Sequence, residues 1–198
     1  MSEVVIVNKA LSLLGATRVA ALSDESLEAQ CANNIYNESL KSILTECSWK
    51  FASKRVLLAK VNKKPAWVKN GMKNYFQLPS DLVAIVDISD PNAKWEVEGQ
   101  MVLTDADTFG IEYVYFMTDS SKYPAYFIDA FACKLAADMC YELTNSNEKT
   151  MTLLELYKGE YLPLAKTKNS RAGSAPMVRD DMWVNSIFRS FYALHELS

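Results

Sequence analysis

Cys47-Ser48-Trp49-Lys50-Phe51-Ala52-Ser53-Lys54-Arg55-Val56-Leu57-Leu58-Ala59-Lys60-Val61 is the stretch in which the chain changes its period. Before it, apolar residues recur at helical three and four residue steps. After it they come in short runs separated by turn residues, which is the pattern of strands. Working backwards, Leu27, Cys31, Ile35, Leu40, Ile43, Leu44 and Cys47 form one stripe, with Ser23 as the expected N-cap and Asp24, Glu25 and Glu28 near the positive end of the helix dipole. Further back, Val4, Val7, Leu11 and Leu14 mark a first helix that Gly15 should close. Working forwards, the runs Val56–Val61, Tyr75–Leu78, Leu82–Ile88, Trp95–Val97, Gln100–Leu103 and Ile111–Phe116 predict a β-rich portion, with a tight hairpin at Glu98-Gly99. Pro65 and Gly71 bound a polar loop whose Trp67 is expected to pack.

Helical spacing returns after Pro124, where Phe127, Phe131, Leu135, Met139 and Leu143 align beside the small residues Ala130, Ala132, Ala136 and Ala137. Asn145 and Glu148 are spaced for a capping arrangement ahead of a further helix carrying Met151, Leu154, Tyr157, Tyr161 and Ala165, which Pro163 should kink or end. From Asn169 to Pro176 the residues are small and polar, as in a flexible arm. Beyond them Met182, Trp183, Phe188, Phe191 and Tyr192 are too apolar for a free tail. The expected fold is α+β and predominantly helical. Residues 1–54 and 119–168 form a bundle of about four helices, 55–118 a small β-rich insertion, and 169–198 an extended docking arm.

A chain of 198 residues, 49% hydrophobic, has room for one sizeable core rather than two independent domains. It lacks the roughly 20 uninterrupted apolar residues of a spanning helix, and its N-terminus shows neither a basic leader nor a small-residue cleavage site, so a soluble, unprocessed protein without membrane contact is expected. Cys31, Cys47, Cys133 and Cys140 form no CxxC pair, and His195 is the single histidine, which gives a metal site little support. The four thiols read as reduced and buried, and no cofactor is expected.

Charge is segregated. Between Ser48 and Ser80 there is no acidic residue, whereas Lys50, Lys54, Arg55, Lys60, Lys63, Lys64, Lys69 and Lys73 are basic. Between Asp81 and Asp119 the acids dominate, with Lys94 the one cation. Opposed blocks of this kind can set register between identical subunits. The basic block also interleaves with Trp49, Phe51, Trp67, Tyr75 and Phe76, which leaves open a nucleic-acid-binding module that stacks bases. Paired carboxylates leave open a peptidoglycan hydrolase, although no GxSxG or phosphate loop occurs and no single pair stands out.

Ala10-Leu11-Ser12-Leu13-Leu14-Gly15, Cys47-Ser48-Trp49-Lys50-Phe51-Ala52, Tyr75-Phe76-Gln77-Leu78-Pro79-Ser80-Asp81-Leu82, Trp95-Glu96-Val97-Glu98-Gly99, Ile111-Glu112-Tyr113-Val114-Tyr115 and Tyr123-Pro124, in this order and spacing, resemble the tail tubular protein A family of short-tailed bacteriophages. The matching stretches lie within roughly residues 4–165. The resemblance implies a noncatalytic head-to-tail adaptor of the virion tail, made in the host bacterial cytoplasm. It implies a ring, commonly dodecameric, that binds the portal protein on one side and a tail nozzle like tail tubular protein B on the other. Genomic double-stranded DNA would pass through without specific binding. In that setting Met182, Trp183, Phe188, Phe191 and Tyr192 are candidates for docking on portal or a neighbour. Glu96, Glu98, Asp105 and Asp107 are candidates for an acidic channel wall, since attraction to phosphates would retard sliding DNA.

Overall fold

The computed structural model describes residues 2–172, which form an α+β fold of helices and two antiparallel sheets. Helix α1 (Glu3–Leu14) buries Ile6, Val7, Ala10, Leu11 and Leu14, and Gly15 closes it in the left-handed conformation. Helix α2 (Leu27–Thr45) starts later than Ser23. Its N-cap is Ser26, whose hydroxyl accepts from the Ala29 N–H at 3.3 Å. Asp24 instead accepts from the N–H groups of Ala20 and Ala21 at 2.9 and 3.0 Å, so its carboxylate closes the preceding turn and is not spent on the helix. The buried face is also rotated from the expected one. Tyr36 lies inside while Ile35 is half-buried, and Leu27 is exposed. Cys47 lies beyond the helix end and is half-buried, in contrast to the buried Cys31, Cys133 and Cys140.

Trp49 fills the joint between helices and strands. It is fully buried, its indole N–H donates to the Ile43 carbonyl at 2.8 Å, and its ring meets Phe127 edge-on at 5.0 Å. Helix α3 (Ala125–Thr144) follows Pro124 and is buried on nearly all sides. Phe127, Phe131, Leu135 and Met139 line the expected face, and Ala130, Ala132, Cys133, Ala136, Ala137 and Cys140 the others. These small side chains let α1, α2 and α4 (Asn147–Leu156) approach closely, which makes α3 the central helix. Asn145 is the left-handed C-cap of α3, and Ser146 caps α4 by accepting from the Lys149 N–H at 3.2 Å. The capping arrangement expected at Asn145 is therefore displaced by one residue, because Asn tolerates positive φ.

Pro163 does not end the last helix. One π turn, Tyr157–Tyr161, leads into α5 (Leu162–Arg171), and the Leu162 N–H reaches back to the Tyr157 carbonyl. The wider turn places Pro163 in the opening turn of α5, where its missing N–H matters least. The buried residues here are Leu153, Tyr157, Leu162 and Ala165, whereas Met151 is exposed. Asn169, expected in a flexible arm, is buried in α5. Its Oδ1 accepts from the Lys50 N–H at 3.0 Å and its Nδ2 donates to the Ser48 carbonyl at 3.0 Å, tying α5 to the Trp49 joint.

The strands are β1 (Ser53–Leu57), β2 (Lys60–Val61), β3 (Asn74–Gln77), β4 (Leu82–Ile88), β5 (Trp95–Glu98), β6 (Met101–Thr104) and β7 (Gly110–Tyr115). The expected run Val56–Val61 is split at Leu58-Ala59, where the chain leaves one sheet for the other. The first sheet has the order β1-β7-β4 and the second β2-β3-β6-β5. Glu98 pairs with Met101 across Gly99-Gln100, with positive φ at Gly99, as the hairpin reading requires. Alternation along β7 defines the layers. Val114 packs into the helical core, whereas Ile111 and Tyr113 face the second sheet and meet Phe76, Val102 and Phe109. The first sheet is thus sandwiched between helices and the second sheet.

The hydroxyls of Tyr36 and Tyr157 are buried with no hydrogen-bond partner among the described residues. Removing an orphan hydroxyl relieves a desolvation cost of about 1–3 kcal/mol. Tyr36→Phe and Tyr157→Phe should therefore leave the protein as stable or raise its urea midpoint, whereas a lowered midpoint would show that each hydroxyl is satisfied.

Candidate functional site

The acidic and basic blocks meet within the chain. Lys54 pairs with Asp81 at 2.7 Å, Arg55 with Glu112 at 2.7 Å, Lys60 with Asp107 at 3.5 Å and Lys69 with Glu96 at 2.6 Å. The fold causes this: Arg55 is directly opposite Glu112 on β7, Asp81 stands just before β4 and Asp107 just after β6, and Lys69 reaches Glu96 on β5. Exposed pairs of this type contribute about 0–1 kcal/mol each, so they serve alignment more than stability. Asp81 is the best held. Lys54 and the Tyr113 hydroxyl, which donates at 3.0 Å, keep its carboxyl below the ordinary carboxylate range against the opposing effect of burial.

The four acids proposed for a channel wall each have partners. Glu96 and Glu98 are on β5, on the outer face of the second sheet. There Glu96 meets Lys69, and Glu98 accepts from the Tyr75 hydroxyl at 2.6 Å. Asp105 and Asp107 follow β6. Asp105 accepts from the Lys94 N–H at 2.9 Å, and Asp107 faces Lys60 and Asn74. The surface they form is mixed in charge. Glu96 and Glu98 share a cleft of about 580 Å³ with Lys63, Lys64, Lys69 and Trp67.

The basic segment does not present the stacking platform its sequence suggested. Trp49, Tyr75 and Phe76 are buried, and Phe51 packs on Phe127 at 4.6 Å and Tyr123 at 5.8 Å. Trp67 is the exception: at 69% exposure it stands out from the surface, contrary to the packing expected of it. The cause is a turn that was missed. Lys69 and Met72 bridge across Asn70-Gly71, both at positive φ, and the Met72 N–H donates to the Lys69 carbonyl at 3.0 Å. That geometry requires residues tolerant of positive φ, and Asn-Gly is its strongest sequence signal. The turn holds Trp67 and Val68 outward beside the cations.

The second missed feature is a groove on the first sheet, about 350 Å³, lined by Leu57, Asp87, Ser89, Gly110 and Glu112 among others. Register forms it. Leu57 is opposite Gly110, and Arg55 and Asp87 flank Glu112. A Cβ at Gly110 would lie 3.0 Å from Leu57 Cδ2 and 3.2 Å from Ser89 Cβ, so only glycine keeps the floor open without displacing them.

Met182, Trp183, Phe188, Phe191, Tyr192 and His195 lie outside the described residues. Among the described residues no group of three or more His, Cys, Asp or Glu side chains is arranged to hold a metal ion, and no helix is long and apolar enough to cross a membrane. Burial pushes the Cys31 thiol up to about 12, helped by Glu142, and the Cys133 thiol up to about 11. Such thiols are poor nucleophiles and pack as small apolar groups. Compared with known proteins, the chain matches no protein-family model and no curated relative.

Proposed function

We propose that the chain is a structural, noncatalytic head-to-tail adaptor of a bacteriophage virion, assembled as a ring between portal and tail nozzle around the passing DNA. The observation that carries this reading is where the resembling motifs fall. Ala10–Gly15 ends α1, Trp49 fills the joint between helices and strands, Ile111–Tyr115 lies within the central strand of its sheet, and Tyr123-Pro124 leads into α3. These are the positions on which the arrangement of helices against sheets depends. In this reading the fold is predominantly helical, the helices form a bundle in the ring wall, and the β-rich insertion meets neighbouring subunits. The large exposed features are apolar and mixed-charge protein surfaces, as suits an assembly component.

The segment after Ala172 serves as the anchor, through Met182, Trp183, Phe188, Phe191 and Tyr192. A truncation should end at Ala172 rather than at Asn169, since Asn169 caps the Lys50 N–H and belongs to the folded part. The 2–172 chain is expected to stay folded by circular dichroism and to lose co-sedimentation with portal protein, while the full chain retains it. Undiminished co-sedimentation of the truncated chain would assign portal binding to another surface.

A further inference from the structure

The two-sheet layer carries complementary features on its opposite outer sides. On the outer side of the second sheet stand Trp67 and Val68, both exposed, next to Lys64, which has no ion-pair partner among the described residues. On the first sheet, the face that points away from the second contains Val114, Glu112 and Gly110 in succession along β7. Helices cover it at Val114, and it is open at Gly110. Across that open part run two rows of side chains, Leu57–Gly110–Ser89 and Arg55–Glu112–Asp87. Leu57 is 76% exposed on an edge strand, a large apolar group that nothing among the described residues covers. In the charged row Arg55 satisfies Glu112 at 2.7 Å, which leaves Asp87 without a cation among the described residues and the row with a net negative charge. A register shift in β4 between Ile85 and Asp87 marks a bulge beside Asp87, a device that re-aims side chains at sheet edges.

We infer that this groove receives the Trp67 turn of a second copy of the chain, with Lys64 of one subunit beside Asp87 of the next. Knob and groove share no residue and lie on opposite sides of the layer. The contact is therefore heterologous: each subunit keeps one knob and one groove, and repetition carries the contact from subunit to subunit. The indole supplies the kind of aromatic anchor that dominates interface energies, Leu57 and the Gly110 dent supply its seat, and the unpaired charges set register. The contact presupposes the ring of the proposed function and assigns it a surface.

The test uses two full-length variants, Val68→Cys and Ser89→Cys, purified apart, then mixed and treated with a short bismaleimide while light scattering reports the mass of the untreated mixture. The expected result is a covalent two-chain product in the mixture, absent from either variant alone, and lost when the Val68→Cys chain also carries Trp67→Ala or the Ser89→Cys chain also carries Asp87→Lys. Oligomers without that product, or a product indifferent to Trp67→Ala, would overturn this contact and leave the ring standing. A chain that stays monomeric and gives no product up to its solubility limit, both alone and with portal protein present, would overturn the contact and the ring together.

Discussion

Trp49→Ala should remove about 3–5 kcal/mol of stability, a large share of what a domain of this size has. The indole is fully buried, so truncation leaves a cavity among Phe127, Phe51 and the end of α2. It also removes the indole N–H that donates to the Ile43 carbonyl at 2.8 Å, leaving that carbonyl only the Glu46 N–H at 3.2 Å. The site cannot collapse easily, because three parts of the chain converge on it: α2 ends there, β1 begins shortly after, and Asn169 of α5 holds Ser48 and Lys50 from the other side. Urea unfolding followed by circular dichroism measures the loss. Met151→Ala, on an exposed helix face, serves as the control and should stay within about 0.5 kcal/mol of the parent. Comparable losses at Trp49 and Met151 would mean that Trp49 is not a structural joint.

Raising the pH should unfold the protein cooperatively. Burial pushes the phenols of Tyr36, Tyr123 and Tyr157 well above their ordinary value, and burial together with Asp81 pushes Tyr113 up to about 12. A folded-state pKa above the unfolded one means that the native state holds the proton more tightly. The stability this confers is complete below the unfolded pKa, about 10 for tyrosine, and drains away as pH rises through the folded value. Cys31 and Cys133 act in the same direction from lower pH, since an unfolded thiol ionises near about 8.5. Stability should therefore start to decline above about pH 8.5 and fall steeply above about pH 10, where several phenols begin to release protons on unfolding. Phenolate absorbance and ellipticity recorded together provide the check. Part of the absorbance of the ten tyrosines should appear only with loss of structure. Smooth ionisation of all of them at constant ellipticity would contradict the burial.

Much of this architecture is legible in residue patterns, and the misreadings have specific causes. Strand runs such as Leu82–Ile88 and the breaks at Gly15 and Pro124 are local, and local chemistry decides them. The caps were misplaced where neighbouring residues offer the same chemistry. Ser23 and Ser26, or Asn145 and Ser146, offer the same capping group, and the folded turn decides which backbone N–H each one meets. The split at Leu58-Ala59 is non-local, since β1 pairs with β7 while β2 pairs with β3. The ion pairs that the two charge blocks make within the chain depend on the same register, as does the Gly110 dent. Of the surface features, only the Trp67 turn was available from sequence, through Asn70-Gly71.

The measurement that bears most directly on the adaptor reading is the mass and shape of the full-length chain, alone and mixed with portal protein, by light scattering and negative-stain imaging. The reading predicts a closed ring seated on the portal. A chain that remains monomeric and does not associate with portal would contradict it.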